Sequence, residues 1–61
     1  MKTYINIFFE RINNNLCSYG KEVETNTKKE AIKYGKAYAK ARKDRVRYVE
    51  TITERELQNT I

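Results

Sequence analysis

The sequence predicts an α+β fold in the order strand-strand-helix-strand, with one helix packed on a three-stranded sheet and a short helix closing the chain. Three observations predict it: two runs of period-two alternation separated by Asn13-Asn14-Asn15, a Thr27-Lys28-Lys29-Glu30 capping signature opening an Ala- and Lys-rich stretch, and a return to β-branched residues at Val46. With 61 residues, no Pro and two Gly, the chain supports one small domain, residues 1–61.

The first strand is Thr3 to Ile12, with Ile5, Ile7 and Phe9 on one parity and Tyr4, Asn6, Phe8 and Glu10 on the other. Three asparagines follow, residues that tolerate left-handed backbone and so mark a hairpin turn. Leu16 to Thr25 resumes the alternation as an antiparallel second strand, with Cys17, Tyr19 and Val23 on one parity, Ser18, Glu22 and Glu24 on the other, and Gly20 suited to a bulge or bend.

The helix runs from Lys28 to about Lys43. At 100° per residue Ala31, Tyr34, Gly35, Tyr38 and Ala41 gather on its inward side, Ala31 and Gly35 permitting close approach and the two tyrosines supplying buried area. Val46 to Thr53 is the third strand, expected beside the first and parallel to it across the helical crossover. Its parity is mixed, because Glu50 shares the side of Val46, Tyr48 and Ile52 while Val49 lies opposite. Thr53-Glu54-Arg55-Glu56 repeats the capping box and predicts one or two helical turns carrying Leu57 and Ile61 on one side, a terminal segment short enough to fray.

Composition narrows the function. The chain has no His, which removes the commonest general base, and its one cysteine, Cys17, can neither close an internal disulfide nor complete a zinc set. The expectation is a protein that is not an enzyme and uses no cofactor or metal. Without a secretory signal or a run of about 20 apolar residues, the expected location is the cytoplasm and no membrane partner is foreseen. The small core leaves a homodimer open as a source of further burial.

Charge is unevenly placed. Between Thr27 and Arg47 lie nine basic residues against Glu30 and Asp44, whereas the rest of the chain has four basic and six acidic residues. Lys29, Lys33, Lys36, Lys40 and Lys43 fall within an arc of about 80° on the helical wheel, opposite the tyrosine side. This stripe is what a solvent-facing helix requires, and it is also a surface for an anionic partner. The first candidate is a protein with an acidic surface, contacted by those five lysines together with Tyr4 and Phe8, taken as the exposed set of the first strand. The alternative is nucleic acid, its phosphates contacted by Lys33, Lys36, Lys40, Arg42, Arg45 and Arg47. Cys17 is expected to be an inert thiol.

An opening Met1-Lys2-Thr3-Tyr4-Ile5-Asn6-Ile7 strand, an Asn-rich hairpin, a Thr27-Lys28-Lys29-Glu30-Ala31 helix start and a closing Arg47-Tyr48-Val49-Glu50-Thr51-Ile52 strand resemble, in composition and element order, the small early and accessory proteins of bacteriophages that infect AT-rich hosts. The resemblance implies a non-catalytic inhibitor or modulator of a host protein, such as a defence nuclease or a toxin, acting in the host cytoplasm. The basic balance departs from inhibitors that imitate DNA with dense carboxylates.

Overall fold

Strand β1 (Lys2–Ile12) and strand β2 (Asn15–Thr25) form an antiparallel hairpin, followed by helix α1 (Lys28–Ala41), strand β3 (Val46–Thr53) and the short helix α2 (Glu54–Gln58). This computed structural model describes residues 1–43 and 45–58. The mixed α+β order is the one expected from the sequence. At the hairpin, Asn13 and Asn14 both have positive φ, 53° and 67°, the requirement of a two-residue turn whose twist matches its strands. Pairing then runs without interruption from Ile12↔Asn15 to Lys2↔Thr25.

The sheet order is β2-β1-β3, so β3 lies beside β1 as expected, but it is antiparallel to β1, not parallel. The chain reverses at the hairpin, and α1 then carries it back along the sheet, so that β3 starts at the same end as β2. Strand β3 therefore runs with β2 and against the strand between them, and the crossover joins the two outer strands.

Gly20 sits in a regular ladder opposite Ile7, not in a bulge. Its role is steric, since a Cβ there would lie 2.8 Å from Ile5 Cγ2 and 3.3 Å from Ile7 Cδ1. The irregularity falls in β3 instead, where Ile7 faces Glu50 and Phe8 faces Tyr48, so that Val49 is the extra residue. This resolves the mixed parity: Val46 and Tyr48 point to one face before the bulge and Thr51 and Thr53 continue on that face after it, while Glu50 and Ile52 join the other.

Helix α1 covers the face that carries Tyr4, Asn6 and Phe8. Tyr4 and Phe8 are buried, at 6% and 1% exposure, so neither is available to a partner. The parity of β1 distinguishes two faces, but not which of them receives the helix. Here the buried amide of Asn6 selects it, because Nδ2 donates to the Ala31 carbonyl at 3.0 Å. Around it Phe8 packs against the rings of Tyr38, Tyr19 and Tyr48 at centroid distances of 4.8, 5.7 and 6.1 Å.

Both helix starts are capped as their sequences predict. Thr27 Oγ1 accepts from the Glu30 amide at 3.2 Å, and Thr53 Oγ1 accepts from the Glu56 amide at 3.1 Å while Glu56 Oε1 accepts from the Thr53 amide at 3.3 Å. Helix α2 packs against β3 and β1. The side chain of Leu57 and all of Ile61, expected on one side of that turn, lie outside the described residues.

Ala31 and Gly35 are buried and Tyr38 is half-buried, but Tyr34 is 58% exposed and Ala41 is exposed, so the inward side is narrower than the wheel suggests. The close approach at Gly35 accounts for this. A Cβ on Gly35 would lie 2.7 Å from Tyr48 Cε1 and 2.8 Å from Asn6 Cγ, leaving no room for a methyl group. Gly35→Ala should therefore lower stability, even though helix propensity alone favours Ala by about 1 kcal/mol. Overpacking a core of this kind costs about 1–3 kcal/mol, so a lower urea midpoint is expected, and a raised midpoint would show that Tyr48 yields without loss.

Candidate functional site

Lys29, Lys33, Lys36 and Lys40 are exposed on the outer side of α1, as the helical spacing requires. Lys43 is not on the helix. The helix ends two residues before the expected boundary, with Arg42 at the C-cap and Lys43 in the left-handed region at φ 54°. Tight bonds from the Arg42, Lys43 and Arg45 amides to the carbonyls of Ala39, Lys40 and Arg42, at 3.2, 3.1 and 3.1 Å, turn the chain toward β3. The cations Lys40, Arg42 and Lys43 lie at the helix C-terminus, where the unpaired carbonyls favour positive charge.

That turn delivers Arg45 and Arg47 to the end of the sheet where β1 meets the hairpin. Val46 pairs with Glu10 and Arg47 with Phe9, while Arg11 pairs across the hairpin with Leu16. The odd parity of β1 faces away from α1, and burial along it decreases toward the hairpin: Ile5 is buried, Ile7 is half-buried and Phe9 is 37% exposed. Phe9, Arg11, Leu16, Arg45 and Arg47 line a hollow of about 360 Å³ on this open face. A second hollow of about 390 Å³, lined by Ala41, Arg42, Lys43 and Arg45, continues around the helix end. Arg45 belongs to both.

Five cations from three parts of the chain thus gather at one end of the molecule, whereas the lysines in the first turns of α1 stand apart on the opposite side. Arg42 is held in place by Tyr38, its Cζ lying 4.6 Å from the ring centroid, and Lys21 Nζ lies 4.5 Å from the same ring. The Tyr38 hydroxyl is 3.2 Å from that of Tyr19, which donates to Glu10 Oε1 at 2.9 Å. Burial, and then these hydrogen bonds to Tyr38 and Glu10, hold the Tyr19 phenol above the ordinary phenol range. Tyr38 is lowered, first by the hydrogen bond with Tyr19, with help from the charges of Arg42 and Lys21 against an opposing desolvation. The phenols tie β1, β2 and α1 together beneath the basic end, and they keep Glu10 on the helix side of the sheet.

Helix α1 packs more extensively on β3 than on β2, and the gap this leaves is a cleft of about 190 Å³ between Tyr34, Tyr38 and Val23. Cys17 is exposed, and among the described residues no group of three or more His, Cys, Asp or Glu is placed to hold a metal ion. No helix of the described residues is long and apolar enough to cross a membrane.

Of the residues expected to bind a partner, Tyr4 and Phe8 belong to the core. Arg42, Arg45 and Arg47 come together at the basic end, and Lys33 and Lys36 do not join them. The residues that sequence reasoning missed are Phe9, Arg11 and Leu16. Their signal was the hairpin register, which sets Arg11 opposite Leu16 and two residues from Phe9 on the same face once the asparagine turn is fixed. A comparison with protein-family models, curated proteins and solved structures finds no match to this chain.

Proposed function

We propose that this chain is a non-catalytic nucleic-acid-binding module that grips phosphates with its arginine-rich end. The observation that carries this reading is the convergence of Arg11, Arg42, Lys43, Arg45 and Arg47, from β1, the helix C-terminus and the start of β3, around two adjoining hollows. Guanidinium groups present planar forks of donors that match phosphate oxygens, and four of these five cations are arginines. The lysines along α1 raise the local potential and assist encounter.

The test is retention of short DNA and RNA, both single strands and duplexes, at about 50 mM salt, where phosphate binding is strong. Binding should weaken linearly with the logarithm of salt concentration. The double reversal R45E/R47E should lose at least tenfold in affinity and flatten the salt slope by about two, one for each phosphate contact removed. The double reversal K33E/K36E, on the outer side of the helix and away from its C-terminus, should lose less. Binding abolished by the lysine reversals and untouched by the arginine pair would refute this placement. Failure to retain any nucleic acid, combined with retention on immobilised poly-glutamate at the same salt, would replace the reading with an acidic protein surface.

A further inference from the structure

We infer that the hollow formed by Phe9, Arg11, Leu16, Arg45 and Arg47 is a base-stacking site, and that the nucleic acid it takes is single-stranded. The inference rests on the proposed phosphate-binding role and specifies its ligand. Its independent observation is apolar, not electrostatic: Phe9 and Leu16 are 37% and 67% exposed beside three guanidinium groups, on the sheet face that α1 does not cover.

Exposed aromatic surface on a sheet, rimmed by cations, suits a ligand that offers both π-faces and phosphates within a few ångströms of each other. An unpaired strand meets both demands. In a duplex the base faces are occupied by their neighbours, so a duplex can use the arginines but not Phe9. The geometry also sets the footprint. Arg47 stands directly across from Phe9 on β3, and Arg11 lies two residues further along β1, so cations flank the ring on two sides. Further from the hairpin the same face carries Glu50 opposite Ile7 and Glu22 opposite Ile5, whose carboxylates repel phosphate. The strand is therefore confined to the Phe9 end and crosses the sheet there. Three strands spaced about 4.8 Å apart give a platform about 10 Å wide, enough for one or two bases.

The test compares labelled oligothymidylate with a blunt duplex of equal length, by fluorescence anisotropy on the full chain at about 50 mM salt. Phe9→Ala should weaken single-strand binding roughly five- to a hundredfold, the range found when one stacking aromatic is removed, and leave duplex binding and the salt slope unchanged. Phe9→Tyr should restore single-strand affinity to within about threefold. Phe9→Trp gives a second readout that does not depend on affinity. The chain has no other Trp, so quenching of the indole emission by the oligonucleotide, and not by the duplex, reports stacking at this position.

If Phe9→Ala binds the single strand as tightly as the unaltered chain, or if the indole emission of the Phe9→Trp variant is unchanged at saturation, the stacking site does not exist although the phosphate grip stands. If the unaltered chain binds neither oligonucleotide nor duplex, both proposals fall together.

Discussion

Phe8→Ala should leave the chain largely unfolded at 25 °C, whereas Phe9→Ala, one residue along the same strand, should fold with nearly unaltered stability. Phe8 is 1% exposed and is the largest fully buried side chain among the described residues, in contact with three tyrosine rings from β2, α1 and β3. Truncating a buried Phe to Ala costs about 3–5 kcal/mol. A single core in a chain of this length supplies about 3–5 kcal/mol of net stability in total. The deletion thus removes as much as the domain has. Phe9 faces away from the helix and is partly in solvent, so its truncation leaves little cavity. Urea titrations of the two variants, followed by far-ultraviolet circular dichroism, provide the comparison. A cooperative transition near that of the unaltered protein for Phe8→Ala would mean that the helix does not rest on this face.

The contrast between these neighbours also shows how far the sequence could be read. Period-two alternation, asparagine turn chemistry and two capping boxes are local signals, and each produced the element it describes. Orientation and face are not local. The direction of β3 follows from the connection: the hairpin reverses the chain once, and a helical crossover between β2 and β3 restores the direction of β2, which leaves β3 antiparallel to β1. The choice of face turned on Asn6: hydropathy ranks the row of Ile5, Ile7 and Phe9 above a row interrupted by an amide, but that amide bonds the helix backbone and brings its own row inward. Tyr34 was misplaced for a related reason, since an ideal wheel cannot show that Gly35 draws the helix onto Tyr48 and leaves its neighbour at the rim. The mixed parity of β3 was a legible sign of a bulge, though the sequence could not say that Val49 was the added residue.

The basic end was half legible. Arg42, Arg45 and Arg47 lie close in sequence and were expected to act together, and the short turn after α1 keeps them so. Arg11 comes from more than thirty residues earlier, and only the register of β1 with both its neighbours brings it to Arg47 and Leu16. The lysine stripe was correctly placed on the outer side of α1 as far as Lys40. Its continuation through Lys43 depended on helical backbone that gives way to a left-handed residue, and that same residue swings the chain toward the open face. The departure from helix at Lys43 is thus what makes one basic surface out of the helix end and the start of β3.

Asn6→Asp, which changes one atom of a side chain, is expected to turn this protein into one that folds only in acid. Asn6 is 3% exposed; its Nδ2 donates to the Ala31 carbonyl at 3.0 Å, and its Oδ1 accepts from Thr51 Oγ1, to which the Tyr48 hydroxyl donates at 2.6 Å. No buried side-chain polar atom among the described residues is left without a partner. An aspartate places oxygen where Nδ2 was, facing the Ala31 carbonyl oxygen. Protonated, the acid supplies a hydroxyl that can donate to Ala31 in place of the amide. Ionised, it sets a buried charge against a carbonyl dipole. The folded state therefore raises the pKa of this carboxyl above its unfolded value of about 3.9, and between those two values the folded chain binds more protons than the unfolded one. Stability relative to the unaltered protein is retained below about pH 4 and falls as pH rises, by up to roughly 1.4 kcal/mol per unit. Against a total of about 3–5 kcal/mol, the variant should be largely unfolded somewhere between about pH 6 and 8. Urea titrations of both proteins at pH 4, 5, 6 and 7 measure the difference directly. A gap between them that does not change with pH would place the Asn6 side chain in contact with solvent, and the helix would then have to sit further from the sheet than Gly35 allows.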